Sequence, residues 1–306
     1  MKIGVVGAGA IGTYYGGKLA AADRDVHFLV RTGYENVRTN GIHLTGPGED
    51  VRLTRVNCHQ STNKIGVCDL VLVAVKTTSN GALPDLLPPL IGDKTLLMTL
   101  QNGLGNEEFL AQQFGSDRIL AGLCFICLER KAPGVVHRSD YGHMSIGEYG
   151  RAPLDRTRAI AGLFQTSGIQ CKLVGDLALE RWRKLVWNIA FNGLSIAAGG
   201  VDTASILADP DLRASTLELM REVIGAANKC GFPLELSVAD EYLHRTETMG
   251  HYKPSTLIDF EAGNPLEIEP IWGEPLRRAQ IAGAEMPRLQ QLYALLKSLN
   301  RGAEAE

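Results

Sequence analysis

A β-branched run at residues 2–6 opens directly onto Gly7-Ala8-Gly9-Ala10-Ile11-Gly12, and few local features restrict a fold more tightly. Residues 14–22 then suit a helix, and residues 25–30 (DVHFLV) form a second strand-like run. Strand, G-x-G-x-x-G, helix and strand therefore follow one another in the context that gives this fingerprint its meaning. Gly7 permits the tight turn, Gly9 lets backbone N–H groups approach a pyrophosphate, and Gly12 lets the helix pack closely on the strand. The helix N-terminus then favours the negative charge. The six residues Gly7, Ala8, Gly9, Ala10, Ile11 and Gly12 are the expected cofactor turn. A strand–helix turn with no ligand is the alternative.

The end of the second strand bears on which dinucleotide is bound. An NAD site places Asp or Glu there, to hold the ribose hydroxyls. This chain has Arg31 followed by Thr32. A guanidinium pairs with a 2′-phosphate through charge-assisted bonds that a carboxylate would oppose, so the expectation is NADP(H). The alternatives are a solvated Arg31 and Glu35 as a late-placed acid.

Further on, residues 51–57 suit a peripheral strand, and residues 69–75 (DLVLVAV) read as a buried parallel strand by their unbroken apolar run. That strand ends at Lys76, where the carboxyl edge of a sheet would face a cofactor; a solvated lysine capping a strand is the other reading. Residues 82–90 suit a short helix and residues 95–100 a strand, which breaks at Gln101-Asn102-Gly103-Leu104-Gly105-Asn106. Asn102 thus stands at a strand end beside glycines, as a ligand contact or as part of an Asn-Gly turn. A helix over 107–114, strands over 119–128, 135–138 and 143–148, a helix over 156–167 and a short strand over 171–174 complete the α/β half. His137 and His143 fall in alternating strand sequence and read as structural histidines.

From residue 177 the strand pattern stops and helices follow, at 177–198, around 209–212, and at 214–230, 236–248, 276–282 and 288–300. The division expected is a dinucleotide-binding domain at 1–175 and a helical domain at 176–306, with residues 302–306 as a frayed tail. Within the helical half, residues 180–192 (ERWRKLVWNIAFN) carry a polar line, Lys184, Asn188 and Asn192, through an apolar background. Each four-residue step turns the side chain by only ~40°, so the line keeps to one face. Burying a lysine and two amides is costly unless they are paired or used. Further polar positions follow at Ser255, where Pro254 fits a helix start with Ser255 as cap, at Asp259, and at Glu267 in PLEIE. If that last stretch is helical, only one of Glu267 and Glu269 can point with the apolar side.

The 306 residues carry a formal charge of −3, which offers no electrostatic reason to expect nucleic acid or an anionic membrane as partner. No apolar run approaches the ~18–20 residues of a membrane span. The N-terminus lacks the basic region and long apolar stretch of a signal peptide, which leads to a cytoplasmic expectation. Six scattered cysteines do not form a disulfide framework. Cys124 and Cys127 make a C-x-x-C within strand-like sequence, where they read as core residues rather than ligands; no metal is expected.

GAGAIG near the N-terminus, QNGLG after a strand, K-x-x-x-N-x-x-x-N on a helix, and S-x-x-x-D followed by an acid together resemble the ketopantoate reductase (2-dehydropantoate 2-reductase) family. The resemblance runs to about residue 299. It implies an N-terminal Rossmann domain, an all-α C-terminal domain like that of 6-phosphogluconate dehydrogenase, and an active site in the interdomain cleft. NADPH would reduce a 2-oxo acid to a 2-hydroxy acid, with 2-dehydropantoate to pantoate, a step of pantothenate biosynthesis, as the first expectation. Lys184 matches the family's catalytic lysine and Glu267 the acid that helps hold the substrate. Asn102, Asn188, Asn192 and Ser255 fall on positions that bind substrate or nicotinamide, and Lys76 on a cofactor-side lysine. Two departures surround the substrate: the acid stretch reads NPLEIE rather than R-x-T-E-I-D, and Tyr252 stands where an asparagine is usual. A related 2-oxo or imino acid reductase and a non-catalytic NADPH sensor are the alternatives. The assembly is left open, a homodimer included.

Overall fold

The computed structural model describes residues 1–303, with side chains through residue 300. Of the tail expected at 302–306, residues 304–306 lie outside the described residues, while 302 and 303 continue the last helix. By its contacts the chain separates into two compact units, Met1–Gln101 with Asn106–Leu177, and Asn102–Gly105 with Ala178–Glu306. The four-residue excursion in the middle of the α/β half is not legible in sequence, because it depends on what the loop packs against.

The first unit is built on one sheet. Its strands are β1 (Lys2–Val6), β2 (Asp25–Leu29), β3 (Ile42–Gly46), β4 (Glu49–Leu53), β5 (Asn57–His59), β6 (Leu70–Val73), β7 (Leu96–Thr99), β8 (Ile119–Ala132), β9 (Val135–Glu148) and β10 (Cys171–Leu173). The spatial order is β4-β3-β9-β8-β7-β6-β1-β2-β5, with β10 beside β9. β1 pairs in parallel with both β2 and β6, so the chain reverses its direction of winding there. Along β1 and β6 the side chains alternate between two buried layers. Ile3, Val5, Leu70 and Leu72 join one core with Tyr15 and Leu19 of α1 (Ala10–Ala21); Val6, Val71 and Val73 join the other. A parallel strand covered on both faces reads as a continuous apolar run, as the DLVLVAV stretch does.

Several elements differ from expectation, each for a local reason. The peripheral strand expected at 51–57 is instead part of a β3–β4 hairpin, followed by a separate β5. Strands expected at 135–138 and 143–148 are one strand, β9, whose pairing with β8 absorbs register shifts at Phe125/Ile126 and Cys127/Leu128. After α2 (Tyr34–Asn40), the helix expected at 82–90 is broken into 3₁₀ turns around α3 (Leu83–Leu86), because Pro84, Pro88 and Pro89 interrupt its hydrogen bonds. α4 (Asn106–Phe114) and α5 (Asp155–Gln165) complete the unit. His137 bonds Thr45 Oγ1 at 2.9 Å and His143 stacks on Phe125. Cys124 and Cys127 are buried, and all six cysteines are free thiols.

The second unit is helical: α6 (Leu177–Trp187), α7 (Gly193–Ala197), α8 (Thr203–Ala208), α9 (Pro210–Lys229), α10 (Ser237–Glu247), α11 (Ser255–Glu261), α12 (Glu274–Ile281) and α13 (Pro287–Ala303). The segments expected around 209–212 and at 214–230 are one helix, α9, capped by Asp209 through the N–H groups of Asp211 and Leu212. Two π-turns interrupt the helices, Asn188–Asn192 between α6 and α7 and Glu269–Gly273 before α12. Trp182, Trp272 and Phe191 are fully buried at the centre. Among the described residues no helix is long and apolar enough to cross a membrane.

One ion pair in the first unit sets a measurable stability. The Glu148 carboxylate, fully buried at the end of β9, takes two bonds from Arg156 (3.0 and 2.7 Å) and one from the Thr157 hydroxyl. Removing one partner leaves a buried charge uncompensated. Arg156→Ala is expected to lower the unfolding free energy by about 2–3 kcal/mol, and adding Glu148→Gln to restore part of the loss, as read by urea denaturation.

Candidate active site

The expected cofactor residues stand at the carboxyl ends of three adjacent parallel strands. Gly7 follows β1, Arg31 follows β2, and Lys76 follows β6. The β1–β6 neighbourhood is the switch point at which open α/β sheets bind ligands. Gly7 has φ +109°, and a Cβ there would lie 2.4 Å from the Val75 nitrogen. A Cβ on Gly12 would lie 2.0 Å from the Gly7 carbonyl oxygen, so the helix approaches the strand as closely as backbone allows. Gly9 is different: it precedes α1 in extended conformation, and a Cβ there would meet nothing within 4 Å. The first turn of α1 has no side-chain cap and no acidic residue. Half-buried Ala8, Ala10 and Ile11 complete the turn. Space above Gly9, with a helix N-terminus behind it, fits the pyrophosphate of a dinucleotide.

Arg31 is exposed and makes no hydrogen bond or ion pair among the described residues. Glu35, the alternative ribose acid, is held by Arg38 at 2.7 Å. Lys76 is exposed and leads into a 3₁₀ turn, Thr77–Ala82. A residue not singled out from sequence organises this edge. Buried Gln101 donates to the Val75 carbonyl at 3.0 Å and to Asn80 Oδ1 at 2.7 Å, and accepts from Thr99 at 3.0 Å. Asn80 in turn donates to Asn106 at 3.2 Å. Its neighbourhood in the QNG motif was the one available signal.

In the helical unit, Lys184 Nζ donates to Asn102 Oδ1 at 2.8 Å. These residues lie 82 positions apart in the chain, and Asn102 arrives on the Asn102–Gly105 excursion. That loop is seated by the second π-turn. Leu104 N–H donates to the Pro270 carbonyl at 2.8 Å, and a Cβ on Gly103 would lie 2.4 Å from the same oxygen. Lys184 is half-buried, whereas Asn188 and Asn192 are buried in the first π-turn. Asn192 Oδ1 has no hydrogen-bond partner among the described residues. Trp187 donates to Thr246 at 2.9 Å and stacks on Phe191, so the helix side of the line is fixed.

Ser255 is the first residue of α11, not its cap, and is exposed; Pro254 takes the cap position. α11 packs against the first π-turn and α7. Glu267 is 7% exposed and lies just before the second π-turn, while Glu269 points outward to Tyr293 and Arg277. Leu266 N–H is held by Asn300 at 2.9 Å, which anchors the stretch that carries Glu267. The structure thus brings Lys184 and Asn102 into contact, places Asn188 and Asn192 on the same helical run, and sets the elements of Ser255 and Glu267 beside the two π-turns.

Residues 3–151 match the family model described as Ketopantoate reductase PanE/ApbA, and residues 176–300 match Ketopantoate reductase PanE/ApbA C terminal. The 2-dehydropantoate 2-reductase of Nostoc sp. is 40% identical over 304 residues, covering 98% of this chain and 95% of that one. The crystal structure of 2-dehydropantoate 2-reductase from Geobacter metallireducens matches with a TM-score of 0.95 at 41% identity, over 97% of this chain and 99% of that one. That of the enzyme from Methylococcus capsulatus matches with a TM-score of 0.90 at 31% identity, over 99% and 98%. With a glycine turn cleared for a dinucleotide, a lysine held by a loop asparagine, and both halves matched, this chain belongs to the ketopantoate reductase family.

Proposed function

We propose that the chain reduces a 2-oxo acid to its 2-hydroxy acid with NADPH, and that 2-dehydropantoate is the substrate. The observation that carries this reading is the 2.8 Å bond from Lys184 to Asn102, made beside Asn188 and Asn192 in a chain 40% identical to a 2-dehydropantoate 2-reductase. Gly7–Gly12 would hold the pyrophosphate, Arg31 the 2′-phosphate, and Lys76 the cofactor's nicotinamide half. When bound, NADPH supplies the hydride for the keto carbon.

Lys184 carries the rest of the chemistry. Charge develops on the keto oxygen as the carbon is reduced, and an ammonium beside it stabilises that charge and delivers the proton. Asn102 takes one of the three Nζ–H donors, which fixes the direction of the other two. Asn188 and Asn192 are neutral donors and acceptors suited to the substrate's oxygens. Ser255 is the contact for the carboxylate, and Glu267 supplies an acid that grips the substrate.

Tyr252 favours a second reading, a related 2-oxo acid with a bulkier or aromatic side chain. Its ring lies 6.2 Å from that of Trp187, which stacks on Phe191 at 5.1 Å, one residue before Asn188. An aromatic wall prefers an apolar or planar substituent.

NADPH oxidation against a panel of 2-oxo acids, 2-dehydropantoate and aromatic members included, separates these readings. Turnover on none of them, with tight NADPH binding, would instead point to a sensor. Lys184→Ala is expected to lower kcat by about 10²–10⁴-fold; a loss of only a few-fold would remove the proton-donor role. Arg31→Ala is expected to weaken NADPH binding by about 10–100-fold, the worth of a charge-assisted bond, while leaving NADH binding unchanged. Equal effects on both nucleotides in titration would refute the assignment. Gly9→Ala should leave the melting temperature unchanged and weaken both nucleotides, because its Cβ would point into space that the pyrophosphate needs.

A further inference from the structure

The two π-turns of the helical unit are joined by a hydrogen bond and share one apolar cluster. The indole N–H of Trp272, within Glu269–Gly273, donates to the Ile189 carbonyl, within Asn188–Asn192, at 3.0 Å. Trp272 is fully buried. At the end of the first π-turn, Gly193 N–H is shared between the carbonyls of Ile189 and Ala190. A Cβ on Gly193 would lie 2.9 Å from the Trp272 indole nitrogen and 2.6 Å from Leu292, so a glycine there is what admits the indole.

The π-turn changes which residues line up with Lys184. In an unbroken α-helix each residue turns ~100°, so Asn188 lies ~40° and Asn192 ~80° from Lys184. Asn192 would then share the same broad face but stand ~80° off the direction of Lys184. A π-turn closes i→i+5 bonds and takes one extra residue into the turn. It thereby cancels roughly one residue's rotation of ~100°, which returns Asn192 to within ~20° of Lys184. The Oδ1 of buried Asn192, which has no hydrogen-bond partner among the described residues, is the group whose direction this decides.

The same five-residue turn seats the other side of the lysine. Its Pro270 carbonyl holds Leu104 N–H, two residues after Asn102, and Glu267 lies two residues before its start. We propose that the Glu269–Gly273 turn is the positioning element of this site, with Trp272 as the positioning residue that holds the Asn188–Asn192 π-turn in the register that aligns Asn192 with Lys184. This rests on the reading of Lys184 and Asn192 as reaction groups, but the register itself does not.

The test replaces the indole donor and reads two things, steady-state kinetics with the 2-oxo acid and backbone hydrogen exchange over residues 188–193. Trp272→Phe removes the N–H. Benzothienylalanine at 272 removes it while keeping the bicyclic shape, which covers the case in which Phe leaves a cavity and the protein fails to fold. Both should lower kcat by about 10–100-fold, the scale of a misplaced reacting group, with NADPH affinity within about twofold of wild type. Exchange over 188–193 should rise, with the rest of the helical unit unchanged. Fluorotryptophan at 272, which keeps the N–H, should restore both. Wild-type kcat and unchanged protection in the benzothienylalanine protein would overturn the proposal, as would kcat and nucleotide affinity falling in equal proportion. If the wild-type chain reduces no 2-oxo acid, the reaction assignment fails by itself. The exchange arm then decides the register alone, faster exchange supporting it and unchanged protection refuting it.

Discussion

The bond between the Trp272 indole and the Ile189 carbonyl is the contact on which the helical unit's site depends. A π-turn disturbs the regular i→i+4 ladder, and buried backbone groups left without good partners are costly. Here one donor, Gly193 N–H, is divided between two carbonyls, and the indole gives Ile189 a second. The contact is possible because residue 193 has no Cβ and because Trp272 is packed on every side. A helix that would otherwise rotate its third polar residue away from its first is thereby held in a different phase.

Asn102 enters by a related device. The loop that leaves β7 clusters with the helical unit over only four residues, Asn102–Gly105, while Gln101 before it and Asn106 after it belong to the sheet unit. Gln101 is pinned to the Val75 carbonyl and Asn80, and Leu104 to the Pro270 carbonyl. Short bonds on both sides of Asn102 leave its side chain little freedom, which suits the proposed role of holding Lys184 for the reaction. Conformational entropy that is already lost in the folded protein is not lost again when substrate binds.

The sheet unit meets a different constraint, that of bringing backbone close to a charged ligand. Gly7 and Gly12 are excluded from carrying a side chain by the protein itself, whereas a Cβ on Gly9 would meet nothing within 4 Å among the described residues. That contrast separates glycines needed for folding from one whose open side suits a pyrophosphate. Arg31, exposed and without a partner among the described residues, has the same character: its charge is not used by the fold.

Much of this was legible in order along the chain. The fingerprint turn, the buried run of β6, the helical second half and the K-x-x-x-N-x-x-x-N line all follow from local pattern, since periodicity reports burial and glycine reports close approach. The β3–β4 hairpin and the single long β9 were missed because bulges and turns hide alternation. Ser255 begins α11 rather than capping it, a difference of one residue at a helix end. What the sequence by itself determined is the set of chemical groups: a dinucleotide turn, an arginine where an acid would select otherwise, one lysine, several amides and an acid. Only the tertiary structure decided their register. The phase of Asn192 is set by a π-turn that no local signal marks, held by a tryptophan 83 residues away, and Lys184 meets Asn102 because a loop from the sheet is bonded to a distant carbonyl. Long-range contacts of that kind depend on which surfaces pack together, and local pattern carries no record of them.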